Sequence, residues 1–111
     1  MNSSIINIGA KRYSVASLSD DDFNFLLAKK SICDDDIKAF IDYDDQYIVV
    51  RDRLSKEHKR ELILHEILHA LLEDAGIEQC AETERLIQTI APRINSSIHE
   101  IQVIMRDMML I

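Results

Sequence analysis

Residues 62–75, LILHEILHALLEDA, decide the fold of this chain and carry its most informative motif. Leucine, isoleucine and alanine recur there at helical spacing and cover nearly the whole circumference of the predicted helix. Such a helix is buried from two directions, so any polar residue within it needs a partner. The polar residues at its centre are His65, Glu66 and His69, which form the pattern H-E-x-x-H.

The spacing of these three residues fits metal chemistry. His65 and His69 are four residues apart, which places them about 40° apart around a helix and one turn apart along it, so both imidazoles reach one metal ion. Glu66 lies about 100° round the axis, where its carboxylate deprotonates a metal-bound water rather than binding the ion. The motif predicts a zinc hydrolase site with Glu66 as catalytic base. The alternative is a pair of core histidines hydrogen-bonded to neighbouring groups.

The sequence before the central helix indicates the fold class. Ser55 is the expected N-cap of that helix and Gly76 its expected stop. Residues 5–15 predict one hairpin, and residues 39–51 predict a second around a four-residue turn. Between them, residues 18–31 predict a short helix with an acidic first turn. We therefore expect an α+β fold in which a small antiparallel sheet of two hairpins packs on the central helix.

The sequence after the central helix predicts further helices. Residues 77–80 form a linker and residues 81–91 a helical run, which Pro92 must break or kink unless it opens the next helix. A last amphipathic helix covers residues 98–110, and its apolar residues are expected in the core. The alternative is that this methionine-rich helix docks a second subunit and forms a homodimer.

Length, charge and composition limit the classes of protein. The 111 residues suit a single domain, residues 1–111. A net charge of −7 without a basic tract argues against a nucleic-acid partner. No apolar stretch approaches the roughly 18 residues of a membrane span, and no leader for export is recognisable, so we expect a cytoplasmic protein. Cys33 and Cys80 lack metal-type spacing and are expected as reduced thiols.

Acidic residues cluster at positions 20–22, 34–36 and 42–45. Such clusters are typical of loops and helix starts, where aspartate caps free amides. Calcium binding is the alternative, but none of the clusters has the spacing of a calcium-binding loop.

At the level of the whole chain, the order of motifs resembles a known family. This order consists of a strand, a glycine turn, a second strand, a hairpin with the arm IDYDDQYIVV, the stretch SKEHKRELILHEILHALL and a Glu-bearing helix ending in IAP. It resembles that of the minimal zincin-type metallopeptidases. The motifs are more closely similar to those of small phage- and bacterium-encoded proteins grouped near the ImmA/IrrE metallopeptidases. The similarity covers residues 5–94, and residues 65–69 are its only highly specific part. It implies one zinc ion, hydrolysis of peptide bonds in a protein or peptide, and a bacterial host cytoplasm.

The resemblance also implies where the third metal ligand lies. A catalytic zinc normally has three protein ligands and an open position for water. The gluzincin pattern takes the third from a glutamate on a following helix, here Glu84 or Glu82. The family tail E-x-x-V-x-x-L-A maps onto Glu84, which we favour, and Gln88 would then accept a hydrogen bond from a ligating histidine. Arg85 departs from the ImmA/IrrE pattern, which has alanine after the ligand.

The remaining expectations concern catalysis and its alternatives. Zincin-type enzymes usually add a donor that stabilises the oxyanion, and the candidates are Tyr43, Tyr47, Arg85 and His99. The strand at residues 47–51 is expected to offer an edge along which an extended peptide pairs. Besides a zinc metallopeptidase, two functions stay open: a metal-binding, catalytically inactive protein-interaction module of phage or mobile-element origin, and a structural domain without metal.

Overall fold

The protein has an α+β architecture in a computed structural model that describes residues 2–32 and 36–111. Within these residues it contains a four-stranded mixed sheet and three helices. The predicted α+β class is confirmed. The thiol of Cys33 and two acids of the cluster at residues 34–36, Asp34 and Asp35, lie outside the described residues.

The first two strands form an antiparallel pair, β1 (Asn2–Ile8) and β2 (Lys11–Leu18). Gly9 in the turn between them has a φ of +59°, which favours glycine because it has no Cβ. A Cβ at this position would lie 1.9 Å from Oδ2 of Asp74. Oδ1 of the same carboxylate accepts a hydrogen bond from the amide of Ala10 at 3.4 Å. The turn therefore contacts the end of the central helix.

The other two strands, β3 (Ala39–Asp42) and β4 (Tyr47–Arg51), are also antiparallel to each other. However, β4 pairs in parallel with β2, which gives the strand order β1-β2-β4-β3. The predicted antiparallel sheet is thus corrected to a mixed sheet. Parallel neighbours need a crossover connection, and the segment between β2 and β4, which includes a helix, supplies it.

Strand β4 lies inside the sheet. Its residues Ile48, Val49, Val50 and Arg51 are all buried, as expected for a strand covered on both faces. The prediction that residues 47–51 offer an edge to a peptide is therefore wrong. In the described part of the chain the edge strands are β1 and β3.

Helices cover both faces of the sheet. Helix α1 (Asp20–Lys29) begins at Ser19, whose Oγ accepts a hydrogen bond from the amide of Asp22 at 3.2 Å. It packs on the face that carries Val49, through the cluster Leu18, Phe23, Leu27 and Val49. Ile48, the neighbour of Val49 on β4, faces the opposite side. There it forms the cluster Ile8, Tyr13, Ile48 and Ala70 with the central helix.

Helix α2 (Lys56–Asp74) is the central helix, and its limits agree with the sequence. Oγ of Ser55 accepts a hydrogen bond from the amide of His58 at 3.1 Å, which makes Ser55 the N-cap as predicted. Gly76 ends the helix with a φ of +72°. Its amide donates to the carbonyl of Glu73, and the amide of Ile77 donates to the carbonyl of Leu72. This pair of hydrogen bonds is a Schellman motif, which turns the chain back along the helix.

Helix α3 (Ala81–Asp107) runs without a break through Pro92, so the prediction of two separate helices is wrong. Proline in a helix interior removes one backbone hydrogen bond at a cost of about 3 kcal/mol. Packing on α2 opposes this cost on both sides of the proline. Ile87 before it and Ile98 after it each line an apolar cavity against α2. A local sequence signal for a break is thus overridden by tertiary contacts.

The second half of α3 is largely exposed. The apolar residues expected in the core are 38–88% exposed: Ile101, Ile104 and Met105 in α3, and Met108 and Met109 just after its end. The reason is length, because α3 has 27 residues against 19 in α2. At 1.5 Å per residue, α3 extends roughly 12 Å further than its partner helix. Among the described residues, no helix combines the length and hydrophobicity needed to cross a membrane.

Candidate metal centre

The two histidines of the motif lie side by side on α2. His65 and His69 have ring centroids 4.9 Å apart, and their Nε2 atoms are 3.2 Å apart. Their side chains are 20% and 16% exposed, so the pair is sheltered but not sealed from solvent. At 3.2 Å the two Nε2 atoms point at a common position between the rings.

Glu84, in the first turn of α3, completes the group. Its Oε1 lies 3.1 Å from Nε2 of His65, and its Oε2 lies 2.6 Å from Nε2 of His69. The chain reaches this position because the Schellman motif and the short segment 77–80 return α3 alongside α2. Glu82, the alternative considered from the sequence, is exposed and does not join the histidines. The ligand atoms of His65, His69 and Glu84 all lie within 4.8 Å of one another.

The separations within this group suit a zinc ion. Nitrogen and oxygen ligands about 2.0–2.2 Å from a tetrahedral zinc ion lie roughly 3.3 Å from each other. The two Nε2 atoms are 3.2 Å apart, Nε2 of His65 lies 3.1 Å from Oε1 of Glu84, and Nε2 of His69 lies 2.6 Å from Oε2 of Glu84, so only the last pair would have to move apart around an ion. Two imidazoles with one carboxylate also form a donor set that catalytic zinc uses. The residues present therefore fit the metal that the motif predicts.

His65 is prepared to act as a neutral ligand. Burial lowers its pKa below the ordinary value of 6.5, because the protein interior disfavours the charged imidazolium; the Glu84 carboxylate opposes this effect. A neutral imidazole keeps a lone pair on one ring nitrogen, and only such a nitrogen can bind a metal. The environment of His65 thus favours the form that a metal site requires.

Glu66 follows His65 on the helix and has an unusual carboxyl group. Burial raises its pKa from 4.5 to about 7, with a further increase from the negative charge of Glu84 and a decrease from His69. Within the described chain its carboxylate makes no hydrogen bond or ion pair. An acid that is half-buried, unpaired and able to exchange a proton near neutral pH is suited to general acid–base chemistry.

Gln79, which the sequence analysis did not single out, contacts His69 directly. Its Oε1 lies within hydrogen-bonding distance of Nδ1 of His69, and its Nε2 donates to the hydroxyl of Tyr43 at 3.1 Å. Gln88, predicted to accept a hydrogen bond from a histidine, instead donates from Nε2 to Oε1 of Glu84 at 3.3 Å. Gly76 is the sequence signal that points to Gln79. A helix stop followed by a short connection brings residue 79 back beside residue 69.

The four candidates for an oxyanion donor are distributed across the molecule. The hydroxyl of Tyr43 contacts Gln79. Tyr47 packs against Phe40 on the α1 face of the sheet, with ring centroids 5.9 Å apart, so the sheet separates it from α2. Arg85 and His99 have exposed side chains on α3. The structure therefore brings only Tyr43 of the four into the hydrogen-bonded surroundings of His69.

Comparisons with known proteins do not assign the chain to a family. No protein-family model, curated protein or solved structure matches it. The resemblance to the zincin-type metallopeptidases stays a prediction that depends on residues 65–69. The basis for a functional proposal is therefore the chemistry of the side chains at the candidate metal centre.

Proposed function

We propose that this protein is a zinc-dependent metallopeptidase. The observation that carries the proposal is the convergence of His65, His69 and Glu84, whose donor atoms lie within 4.8 Å of one another. Beside them Glu66 is half-buried, has no hydrogen-bond or ion-pair partner among the described residues, and has a pKa of about 7 because of burial. Metal-assisted peptide hydrolysis needs three protein ligands for the metal and one acid that accepts a proton, and these four residues are of the required types.

Each residue has a role in this proposal. His65 and His69 would hold the ion through Nε2, and Glu84 would hold it through a carboxylate oxygen. The zinc ion, when bound, supplies the Lewis acidity that polarises a carbonyl group and acidifies water. Glu66 accepts a proton from the attacking water on its carboxylate and then donates it to the nitrogen of the leaving amine. The substrate is accordingly a protein or a peptide.

A second candidate is a metal-binding module that acts by binding a partner without catalysis. The observation that favours it concerns the oxyanion donors. Tyr43 is engaged by Gln79, and Tyr47 lies beyond the sheet. A site without an additional donor forgoes a contribution of about 3–4 kcal/mol to the stabilisation of the transition state.

Zinc content and one substitution separate these functions. Protein purified without chelator should contain about one zinc per chain, and His65→Ala or His69→Ala should remove it. Glu66→Gln should keep the zinc but abolish cleavage of a fluorogenic casein or of a peptide library analysed by mass spectrometry. Glu57→Gln, an exposed acid on the same helix, is the matched control and should keep both properties. Loss of zinc from Glu66→Gln, or cleavage that persists in it, would contradict the assigned role.

We also propose that a second copy of the chain covers the exposed half of α3. Ile98, Ile101, Met105 and Met108 alternate three- and four-residue spacings, the pattern of a seam between two helices. The same seam begins at Ile87, which is 3% exposed against α2. It passes Ile98, which still lines a cavity against α2, and continues uncovered from Ile101 onward.

The charge of this segment suits association between identical chains. Residues 94–111 carry only Glu100, Arg106 and Asp107 as charged residues, whereas the whole chain has a net charge of −7. Two such segments meet without the repulsion that other faces of two acidic copies would experience. The partner that this surface fits is therefore the same helix of a second chain.

A further inference from the structure

A chain of hydrogen bonds runs from the β3–β4 turn to the candidate metal centre. Tyr43 lies in that turn, Gln79 lies in the segment between α2 and α3, and His69 lies on α2. Nε2 of Gln79 donates to the Tyr43 hydroxyl at 3.1 Å, while Oε1 of Gln79 contacts Nδ1 of His69. One side-chain amide thus joins three separate elements of the fold.

The chemistry of the amide decides where the proton of His69 lies. A carbonyl oxygen can only accept a hydrogen bond, so Nδ1 of His69 must carry the proton when it contacts Oε1 of Gln79. In a neutral imidazole with a proton on Nδ1, the lone pair is on Nε2. Nε2 is the atom that faces His65 and lies 2.6 Å from the Glu84 carboxylate. Since a carboxylate oxygen also only accepts, a second proton lies between Nε2 and Glu84 in the absence of a metal ion, and a bound metal ion would take the place of that proton.

His65 lacks a comparable restraint. Its Nε2 contacts His69 and Glu84, whereas its Nδ1 has no hydrogen-bond partner among the described residues. The two rings therefore differ, although they occupy equivalent positions in the motif. His69 is held in one tautomer by the protein, and His65 is not.

We propose that Gln79 is a positioning residue that fixes His69 in the Nδ1-protonated tautomer, so that Nε2 is ready to bind a metal, and that Tyr43 holds the Gln79 amide in this orientation. The inference depends on the metal site of the proposed function. Ligating histidines commonly donate to a carboxylate or a backbone carbonyl, and loss of such a partner costs 10- to 100-fold in metal affinity. Gln79 is a neutral group that sets the tautomer without adding negative charge beside Glu66 and Glu84.

The first test reads the tautomer in metal-free protein that carries Glu84→Ala, because the Glu84 carboxylate otherwise holds a proton on Nε2 of His69. The ¹⁵N chemical shifts of the imidazole nitrogens distinguish a protonated ring nitrogen from one with a free lone pair. In the Glu84→Ala protein, His69 should show a protonated Nδ1 and an unprotonated Nε2. Adding Gln79→Ala should convert His69 to a mixture of tautomers, and adding Gln79→Glu instead, which keeps an acceptor oxygen, should preserve the protonated Nδ1.

The second test measures zinc affinity by competition with a chromophoric chelator. Gln79→Ala should weaken zinc binding about 10- to 100-fold, and Gln79→Glu should restore it. Tyr43→Phe should weaken it less, because Gln79 keeps its contact with His69. The matched control is Gln102→Ala, on an exposed position of α3, which should leave affinity unchanged.

The outcomes separate this inference from the proposed function. An unprotonated Nδ1 of His69 in the Glu84→Ala protein, or wild-type zinc affinity in Gln79→Ala, overturns the inference about Gln79 while the metal site survives. A wild-type protein that binds zinc with the expected tautomer but cleaves no peptide overturns the peptidase and leaves Gln79 in its role. A wild-type protein without zinc affinity removes the metal site, and with it both proposals.

Discussion

Nε2 of His65 and Nε2 of His69 face each other at 3.2 Å, with the two carboxylate oxygens of Glu84 at 3.1 Å and 2.6 Å. Two ring nitrogens and a carboxylate that approach one another this closely need a proton or a metal ion between them. This relationship between the two histidines is the basis of the account. The predictions below test it and the fold that holds it.

The choice of third ligand is tested by a pair of matched substitutions. Glu84→Gln should weaken zinc binding by more than the roughly 10- to 100-fold typical of groups that only support a ligand, because it removes a charged ligand. Glu82→Gln, two residues away in the same helical turn and exposed, should leave the affinity nearly unchanged. Competition titrations with a chelator measure both variants. Equal effects of the two substitutions would contradict the assignment of Glu84.

Two glycine substitutions, compared with each other, test the contact between the β1–β2 turn and α2. Gly9→Ala and Gly76→Ala both place a Cβ at positive φ, which costs about 1–2 kcal/mol. Only Gly9→Ala also displaces the Asp74 carboxylate and its hydrogen bond from Ala10, which is worth a further 0.5–1.5 kcal/mol or so. Urea unfolding should therefore show the larger loss for Gly9→Ala. A larger loss for Gly76→Ala would mean that the turn does not contact α2 in this way.

Acid should destabilise the protein through Asp42, which ends β3 next to Tyr43. The backbone amides of Asp45 and Asp44 donate hydrogen bonds to Oδ1 of Asp42 at 2.8 Å and 3.0 Å. Nζ of Lys30 lies 2.5 Å from Oδ2 of Asp42. The amide of Asp45 and then Lys30 lower the pKa of Asp42 below its ordinary value of 3.8. Because the pKa is lower in the folded state, the stabilisation is complete above pH 4 or so and is lost as the pH falls through the folded-state pKa.

The measurement is the free energy of unfolding in urea at pH 7 and pH 3. Asp42→Asn should cost about 1.5–3 kcal/mol at pH 7 and less at pH 3, because below the ordinary pKa of 3.8 the unfolded chain binds the proton and part of the stabilisation is lost. Asp44→Asn, an exposed acid in the same turn, serves as the control and should change little. An equal cost for Asp42→Asn at both pH values would exclude the ionised carboxylate as the source of the stabilisation.

Self-association is tested on the exposed half of α3. Light scattering coupled to size exclusion should give the mass of a dimer for the wild type at micromolar concentration. Ile101→Glu should give the 12.8 kDa monomer, because it places a charge in the apolar seam. Gln102→Glu adds the same charge on the neighbouring exposed position and should remain dimeric. A monomeric wild type would exclude this interface.

Local signals in the sequence predicted the helices and the motif well. Ser55 and Gly76 marked both ends of α2, because capping and positive φ are properties of single residues. Pro92 led to the wrong prediction of two separate helices, because packing on α2, which the local sequence does not show, opposes its local tendency to break a helix. The parallel pairing of β2 with β4 was missed because side-chain alternation within a strand carries no information about its neighbours.

The residues of the candidate metal centre were likewise predictable where the sequence signal is local and not where it depends on tertiary structure. His65, Glu66 and His69 could be identified because they lie within one turn of one helix. Glu84 required the path of the chain between two helices, and its preference over Glu82 came from a resemblance. Gln79 was missed because its contact with His69 depends on how the segment after Gly76 returns, and no periodic pattern records that.

The most direct test is anomalous diffraction at the zinc absorption edge from crystals of the zinc-loaded protein. The account predicts a single zinc peak at this centre, about 2.0–2.2 Å from Nε2 of His65, Nε2 of His69 and a carboxylate oxygen of Glu84. A map without a peak there, with both imidazoles hydrogen-bonded to neighbouring protein groups through Nε2, would contradict it.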